Sequence, residues 1–259
     1  MNYTYKLTKR GLCSELNSLL GFYESVMHED CQVFIDASNS QYFKSVSIRD
    51  VFKFPSFFVG SPCNDSTVIS GNKWRKSATR RHKTKLTAQQ VNEFFSYTDS
   101  FKQKLNENIT KLSLPPEYGC FHIRRGDKVG EKLFAWTQKT GRTEGKRFEF
   151  CDYLKHCEDI KTIFIMTDDY KCIQEAREYI NNNNLSHNII YLTQESQDGS
   201  SETLNIQNDR RYSKQELVQF FSEIEIAKQS HQFIGTESSN IFRYIKNQCV
   251  KDVKFISLD

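Results

Sequence analysis

The sequence has few of the residues that interrupt regular structure, with only 4 Pro and 11 Gly among 259 residues. It also has no run of about 18 apolar residues, so it predicts no transmembrane helix. No apolar segment follows the basic residues of the first ten positions, which excludes a secretory signal peptide. With 37% hydrophobic and 26% charged residues, the composition predicts a globular chain and excludes a disordered one.

The eight cysteines include no C-x-x-C pair and no Cys/His cluster with zinc spacing. Without a secretion signal, we expect reduced thiols and a cytoplasmic protein. The net charge of +4 is compatible with an anionic substrate but does not require nucleic acid. The dense basic run at residues 74–85 lacks the interleaved aromatic side chains of a single-strand binder, so we predict no nucleic-acid partner.

The common phosphate-binding motifs are also missing. There is no G-x-x-x-x-G-K-[ST] loop and no G-x-G-x-x-G fingerprint. No D-x-D pair occurs, so a metal-bridged diphosphate has no obvious ligands. Asp168 and Asp169 are adjacent, and adjacent side chains at the end of a strand diverge. We therefore expect any phosphate chemistry to use no metal and no other cofactor.

The Pro115-Pro116 pair divides the chain into two predicted domains, 1–114 and 115–259, because proline cannot continue the amphipathic helix before it. We expect the first domain to open with a helix followed by a strand, and to be irregular over residues 37 to 70 apart from one short helix. Its predicted elements are a helix over Leu12–Met27, a strand over Cys31–Asp36, a short helix near Ile48–Phe52 and a single long helix over Ala88–Leu112.

Strands and helices alternate in the second domain. The expected strands are 120–124, 162–166, 188–192, 232–235 and 253–258, and the expected helices are 148–156, 171–181, 214–229 and 241–247. Such alternation predicts an α/β fold with a parallel sheet, right-handed crossovers and helices on both faces.

Ligands of open parallel sheets bind outside the carboxyl ends of the strands. Polar clusters follow three of the predicted strands: Arg124-Arg125-x-Asp127, Asp168-Asp169, and Ser238-Ser239-Asn240. Guanidinium groups present a fork of donors that matches phosphate, and a helix N-terminus capped by Ser or Asn attracts anions. These clusters together indicate a diphosphate site. A strand-end turn, an acidic turn and a helix cap remain the alternative interpretation.

The segment His122–Glu131, His-Ile-Arg-Arg-Gly-Asp-Lys-Val-Gly-Glu, resembles the signature of the α-1,6-fucosyltransferase group, which includes the rhizobial nodulation fucosyltransferases. Further segments resemble the other motifs of this group in the same order: Cys13–Asp36, Ile163–Asp169 and Arg211–Arg243. Residues 50 to 115 have no counterpart in the resemblance.

The resemblance implies a GT-B-like fold of two Rossmann-type lobes with parallel sheets, in which the C-terminal lobe binds the nucleotide and the N-terminal lobe lies on the acceptor side. It implies inverting, metal-independent transfer of fucose from GDP-fucose to a glycan hydroxyl. Three alternatives remain open: the same fold with another nucleotide sugar, such as a UDP- or GDP-linked pentose or deoxyhexose, a non-catalytic nucleotide-sugar-binding relative, and a nucleic-acid-binding protein.

The resemblance also assigns roles to residues. Arg124 would bind the β-phosphate, and Arg125 would support it. Ser239 and Asn240 would hold the diphosphate, and Asp168 would orient an arginine. A carboxylate can accept two hydrogen bonds from guanine, and Glu223 lies where the group places that acid. The full set of predicted donor-binding residues is His122, Arg124, Arg125, Asp168, Asp169, Glu223, Ser238, Ser239, Asn240 and Tyr42.

The catalytic base implied by the resemblance is Glu131, with Lys128 as its partner and Arg124 on the leaving phosphate. The stretch Lys-Val-Gly-Glu is one residue shorter here than the group's Lys-Val-Gly-Thr-Glu, so Asp127 is the alternative base. The loop Lys132–Arg147, which contains Trp136, lies where an acceptor would enter, and we expect it to select the acceptor.

Overall fold

A computed structural model describes residues 1–70, 84–125, 146–157, 159–199 and 211–259. The chain divides into two compact units. The first comprises the described residues of Met1–Lys104 and Asn205–Val218, and the second comprises those of Leu105–Leu204 and Gln219–Asp259. Each unit contains one parallel sheet, which confirms the predicted α/β class with two parallel sheets.

In the first unit, parallel strands form a four-stranded sheet in the order β3-β2-β1-β4. Its elements are β1 (Asn2–Lys6), α1 (Leu12–Val26), β2 (Gln32–Asp36), α2 (Ile48–Val51), β3 (Phe58–Val59), β4 (Thr67–Ser70), α3 (Ala88–Phe94) and the first half of α4 (Asp99–Thr110).

The prediction that the chain opens with a helix was wrong, because strand β1 precedes α1 and pairs with both β2 and β4. Tyr3, Thr4 and Tyr5 of this strand are all buried. Aromatic and β-branched residues favour strands, and the Tyr-Thr-Tyr sequence was the available signal. The prediction of no strand between residues 37 and 70 was also wrong, since β3 and β4 lie there.

The single long helix expected over Ala88–Leu112 is interrupted between α3 and α4. Ser96 accepts a main-chain hydrogen bond from Lys53, and Thr98 donates one to Val51. Tyr97 forms an isolated antiparallel bridge with Phe52. Residues 96–98 therefore exchange main-chain hydrogen bonds with another segment, which removes them from a continuous helical ladder.

In the second unit, every predicted strand and helix is present within two residues of its expected bounds. The elements are β5 (Gly119–Ile123), α5 (Phe150–Leu154), β6 (Thr162–Thr167), α6 (Lys171–Asn182), β7 (Asn188–Tyr191), α7 (Lys214–Ala227, which begins in the first unit), β8 (Gln232–Gly235), α8 (Asn240–Gln248) and β9 (Lys254–Ser257).

The second sheet is parallel throughout and has the order β7-β6-β5-β8-β9. All five residues of β5 are buried, as expected for a central strand covered on both faces. The chain builds the sheet outward from β5, first through β6 and β7 and then through β8 and β9. The order therefore reverses between β5 and β8, which is where open α/β sheets bind their ligands.

No helix within the described ranges combines the length and apolar character needed to cross a membrane.

Candidate functional site

The three predicted polar clusters follow strands that are neighbours in the second sheet. Register pairs Ile123, the last residue of β5, with Thr167, the last residue of β6. Strand β8 pairs with β5 on the other side. Because all three strands are parallel, Arg124, Asp168 and the β8–α8 loop (residues 236–239) lie at one edge of the sheet, beside the point where the strand order reverses.

Arg125 is buried, at 4% exposure, and is bonded to the surrounding protein. Its main-chain N–H donates to Asp168 Oδ1 at 3.1 Å. Its guanidinium donates to the carbonyl of Phe148 at 3.0 Å and to Glu175 Oε2 at 3.1 Å. Arg125 therefore fixes the end of β5 against neighbouring segments, and Asp168 holds the main chain at that point.

His122, on β5, is a buried neutral imidazole. Its side chain is stacked on Phe233 with ring centroids 6.4 Å apart and 13° between planes. Burial, followed by the positive charge of Arg124, lowers the pKa of His122 to about 4, against the opposing effect of Asp168. Within the described residues, its Nδ1 atom has no hydrogen-bond partner.

Gly235 makes room for this imidazole at the end of β8. A Cβ atom on Gly235 would lie 3.3 Å from His122 Cβ and 3.2 Å from Phe242 Cδ2. Both distances are shorter than ordinary van der Waals contacts between carbon atoms. The absence of a side chain at position 235 therefore allows His122 and α8 to pack against the same strand end.

Glu223, on α7, is a carboxyl buried to 5% exposure. Burial, with a smaller contribution from Asp168, raises the pKa of Glu223 to about 8, and a side-chain hydrogen bond with Gln219 opposes the shift. Its Oε1 atom has no hydrogen-bond partner in the part of the chain that the structure describes. The helical pattern of α7 alone does not distinguish this position from a surface glutamate.

His122 and Glu223 thus present buried polar atoms that the described protein leaves unpaired. The charge of Asp168 raises the pKa of both residues, as a smaller effect than burial. Leaving such atoms unpaired costs free energy, and a ligand that pairs with them recovers it. His122 Nδ1 and Glu223 Oε1 are therefore each candidates for a hydrogen bond with a ligand.

The β8–α8 loop leads into the N-terminus of α8. Ser239 caps this helix, since its Oγ accepts from the N–H of Ile241 at 3.2 Å. Arg243 Nη1 donates to the carbonyls of Glu237 at 3.1 Å and Ser238 at 2.9 Å, and its Nη2 donates to Asn240 Oδ1 at 2.7 Å. The loop is held from α8 itself, and the helix dipole makes its N-terminus favourable for an anion.

Asp169 contributes to the start of α6. Its Oδ1 accepts from the N–H of Lys171 at 3.0 Å, and its own N–H donates to Thr167 Oγ1 at 3.2 Å. Within the described residues, no group of three or more His, Cys, Asp or Glu side chains is placed to hold a metal ion. All eight cysteines lie in the described ranges and are free thiols.

Tyr42 belongs to the first unit, whereas the other described candidates belong to the second. Its ring stacks on Tyr212 with centroids 4.4 Å apart, and the N–H of Tyr212 donates to the carbonyl of Gln41 at 2.9 Å. We did not predict a role for Tyr212, and its position directly after Arg211 in the third motif was the only available signal.

The predicted bases Asp127 and Glu131, with Lys128, lie outside the described residues. So does most of the predicted acceptor loop, including Trp136. Arg147, at the described end of that loop, pairs with Glu149 at 3.0 Å and with Glu175 at 2.7 Å.

The two α/β units, each with one parallel sheet, match a GT-B-like fold. Solved structures that share this fold include fucosyltransferases. NodZ alpha-1,6-fucosyltransferase soaked with GDP-fucose aligns with a TM-score of 0.56 and 10% identity, over 99% of this chain and 95% of that chain. The apo form of POFUT1 aligns with a TM-score of 0.55 and 12% identity, over 99% and 98%.

Fucosyltransferase NodZ from Bradyrhizobium also aligns, with a TM-score of 0.53 and 9% identity over 100% of this chain and 97% of that chain. No family model and no curated protein matches the sequence. At these identities the likeness establishes the fold, and it agrees with the resemblance seen in the motifs.

Proposed function

We propose that this protein is an inverting, metal-independent glycosyltransferase that transfers fucose from GDP-fucose to a glycan hydroxyl. The observation that carries the proposal is two buried, unpaired polar atoms: His122 Nδ1 on β5, a strand at the switch point, and Glu223 Oε1 on α7, the helix that leads into β8. The fold likeness to fucosyltransferases, one of them soaked with GDP-fucose, supports the choice of donor.

In this proposal, Glu223 recognises the guanine of the nucleotide. Ionised, its carboxylate accepts from the N1–H and the N2 amino group of guanine, and uracil offers no equivalent pair of donors. The neutral imidazole of His122 contributes a further polar contact to the base. The low pKa of His122 keeps it uncharged at neutral pH, so it adds no buried charge beside the nucleotide.

Arg124 and the N-terminus of α8 bind the diphosphate. Both follow neighbouring strands at one edge of the sheet, and Ser239 and Asn240 begin the helix. As the bond between fucose and phosphate breaks, negative charge grows on the leaving GDP. A fixed guanidinium and a helix dipole stabilise that charge, which is a large contribution in many enzymes. Asp168 and Arg125 position Arg124 through the main chain between them.

The reaction is a single displacement at the anomeric carbon. The acceptor oxygen forms a bond to that carbon while the bond to the β-phosphate oxygen breaks and GDP leaves. A base takes the hydroxyl proton, which contributes about 10²–10⁴-fold to the rate. We assign this base to Glu131, with Lys128 beside it, Asp127 as the alternative, and the Lys132–Arg147 loop selecting the acceptor.

Calorimetric titration with GDP and UDP tests whether the site recognises guanine. Release of GDP from GDP-fucose, with and without a glycan acceptor mixture, tests the transfer. We expect GDP to bind at least tenfold more tightly than UDP, and turnover to persist in a chelator. Failure to bind GDP would contradict the proposal. Turnover that stops with a chelator and returns with manganese would contradict metal independence alone.

A further inference from the structure

Asp259 binds the β8–α8 loop from the strand that lies beside it. Its Oδ1 accepts from the N–H of Glu237 at 2.7 Å, and its Oδ2 accepts from the N–H of Ser238 at 3.1 Å. Ser257 assists, since its Oγ accepts from the Glu237 N–H at 2.9 Å and donates to Asp259 Oδ1 at 2.5 Å. One carboxylate therefore spans two consecutive peptide groups of the loop.

Sheet register places this carboxylate. Ser257, the last residue of β9, pairs with Gly235, the last residue of β8. The N–H of Leu258 extends this pairing by donating to the carbonyl of Gly235 at 2.9 Å. The next residue, Asp259, then lies alongside the loop that leaves β8.

The carbonyls of the same two residues, Glu237 and Ser238, accept hydrogen bonds from Arg243 of α8. Glu237 and Ser238 are therefore fixed by an anion at their N–H groups and by a cation at their carbonyls. Both sets of hydrogen bonds involve a charged group, and such bonds are stronger than neutral ones. The N–H of Ser239 is used as well, donating to the carbonyl of Thr236 at 3.0 Å.

The N–H groups at positions 237 to 239 are thus used within the protein and are not available to a ligand. An anion can therefore bind in this region only at the start of α8. The direction in which the N-terminus of α8 points depends on the β8–α8 loop. A displacement of about 1 Å in a positioning element can cost on the order of 100-fold in function.

We propose that Asp259 is a positioning residue of the diphosphate site, which it orients by holding the β8–α8 loop so that the N-terminus of α8 is directed at the phosphates. This inference rests on the proposed function. Asp259 acts through the main chain of Glu237 and Ser238 and does not itself touch the nucleotide. Its effect is therefore confined to ligands that carry phosphate.

Asp259 is exposed, so its replacement leaves no cavity in the core. Asp259→Ala removes both acceptor oxygens, whereas Asp259→Asn keeps the shape and one of them. Asp252→Asn is the matched control, because Asp252 is an exposed acid on the segment that enters β9.

The experiment measures the dissociation constants of GDP and guanosine for the wild type and these variants by calorimetry. Asp259→Ala should raise the dissociation constant of GDP by about tenfold and change that of guanosine by less than about twofold. The GDP affinity of Asp259→Asn should lie between those of Asp259→Ala and the wild type. Asp252→Asn should bind both as the wild type does. The melting temperatures of all four proteins identify any general loss of structure.

Two results would overturn the inference while leaving the proposed function intact: GDP affinity unchanged in Asp259→Ala, or equal weakening of GDP and guanosine. Absence of GDP binding by the wild type would overturn the proposed function, and this inference with it.

Discussion

Replacing Glu223 with glutamine should stabilise the protein against rising pH and weaken its binding of guanine nucleotides. Burial raises the pKa of this carboxyl from its ordinary value of 4.5 to about 8. Between these two values the folded protein holds a proton that the unfolded chain has released. Stability contributed by this group is present below pH 4.5 and is lost as pH rises towards 8.

The size of the effect follows from the pKa difference. Each unit corresponds to about 1.4 kcal/mol, so the wild type should lose roughly 3 to 4 kcal/mol between pH 5 and pH 8 through Glu223 alone. Glu223→Gln cannot ionise and should not show this loss. All other titrating groups are shared by the two proteins, so the difference between their pH profiles isolates Glu223.

Binding of guanine should become tighter as pH rises, because guanine requires the ionised carboxylate of Glu223. With a pKa of about 8, only about 10% of the free protein is ionised at pH 7, which weakens the apparent affinity about tenfold relative to the fully ionised form. Binding of GDP at pH 7 should accordingly release about 0.9 proton from this residue. Burial is the main cause of the raised pKa of Glu223, which the hydrogen bond with Gln219 lowers and the charge of Asp168 raises further.

Denaturant unfolding at pH 5, 6, 7 and 8 measures the first effect. Calorimetry in buffers of different ionisation enthalpy measures the protons released with GDP, and Glu223→Gln is the control because the phosphates of GDP titrate equally in both experiments. Parallel stability profiles for the two proteins would refute the burial argument. Equal GDP affinity in the wild type and Glu223→Gln would refute the role in base recognition.

Three further substitutions separate ligand binding from folding. Arg124→Ala should weaken the binding of GDP at least tenfold and abolish transfer, because a diphosphate charge loses its counterion. Arg177→Ala, at an exposed arginine, is the control and should do neither. Near-normal GDP affinity in Arg124→Ala would contradict the proposed site. Arg125→Ala should instead destabilise the fold by about 2–4 kcal/mol in denaturant unfolding, since it empties a buried site and removes the hydrogen bonds to the Phe148 carbonyl and to Glu175. An unchanged midpoint would contradict this. Gly235→Ala should lower the free energy of unfolding by about 1–3 kcal/mol and weaken the binding of guanosine, because the added Cβ crowds the His122 side chain. If neither stability nor guanosine affinity changes, the end of β8 must be able to shift and accommodate the Cβ atom.

Local patterns were enough to predict the second unit. The apolar run after Pro115-Pro116 indicated a buried strand, and the alternation that follows indicated a parallel sheet; both are confirmed within two residues. The same reasoning failed in the first unit, where β1 was missed and one helix proved to be two. There the break in the helix at residues 96–98 coincides with hydrogen bonds to residues 51 and 53, a partner segment that no local pattern reveals.

The amino-acid sequence by itself determined the alternation of elements in the second unit and the polar residues that end its strands, because periodicity and strand-end chemistry are local properties. Only the tertiary structure decided that β5 and β8 are neighbours at the point of reversal, that Glu223 is buried with an unpaired oxygen, and that Asp259 reaches the β8–α8 loop. Strand order, burial and long-range hydrogen bonds arise from how distant segments pack together, and neither spacing nor composition encodes that packing in a directly readable form.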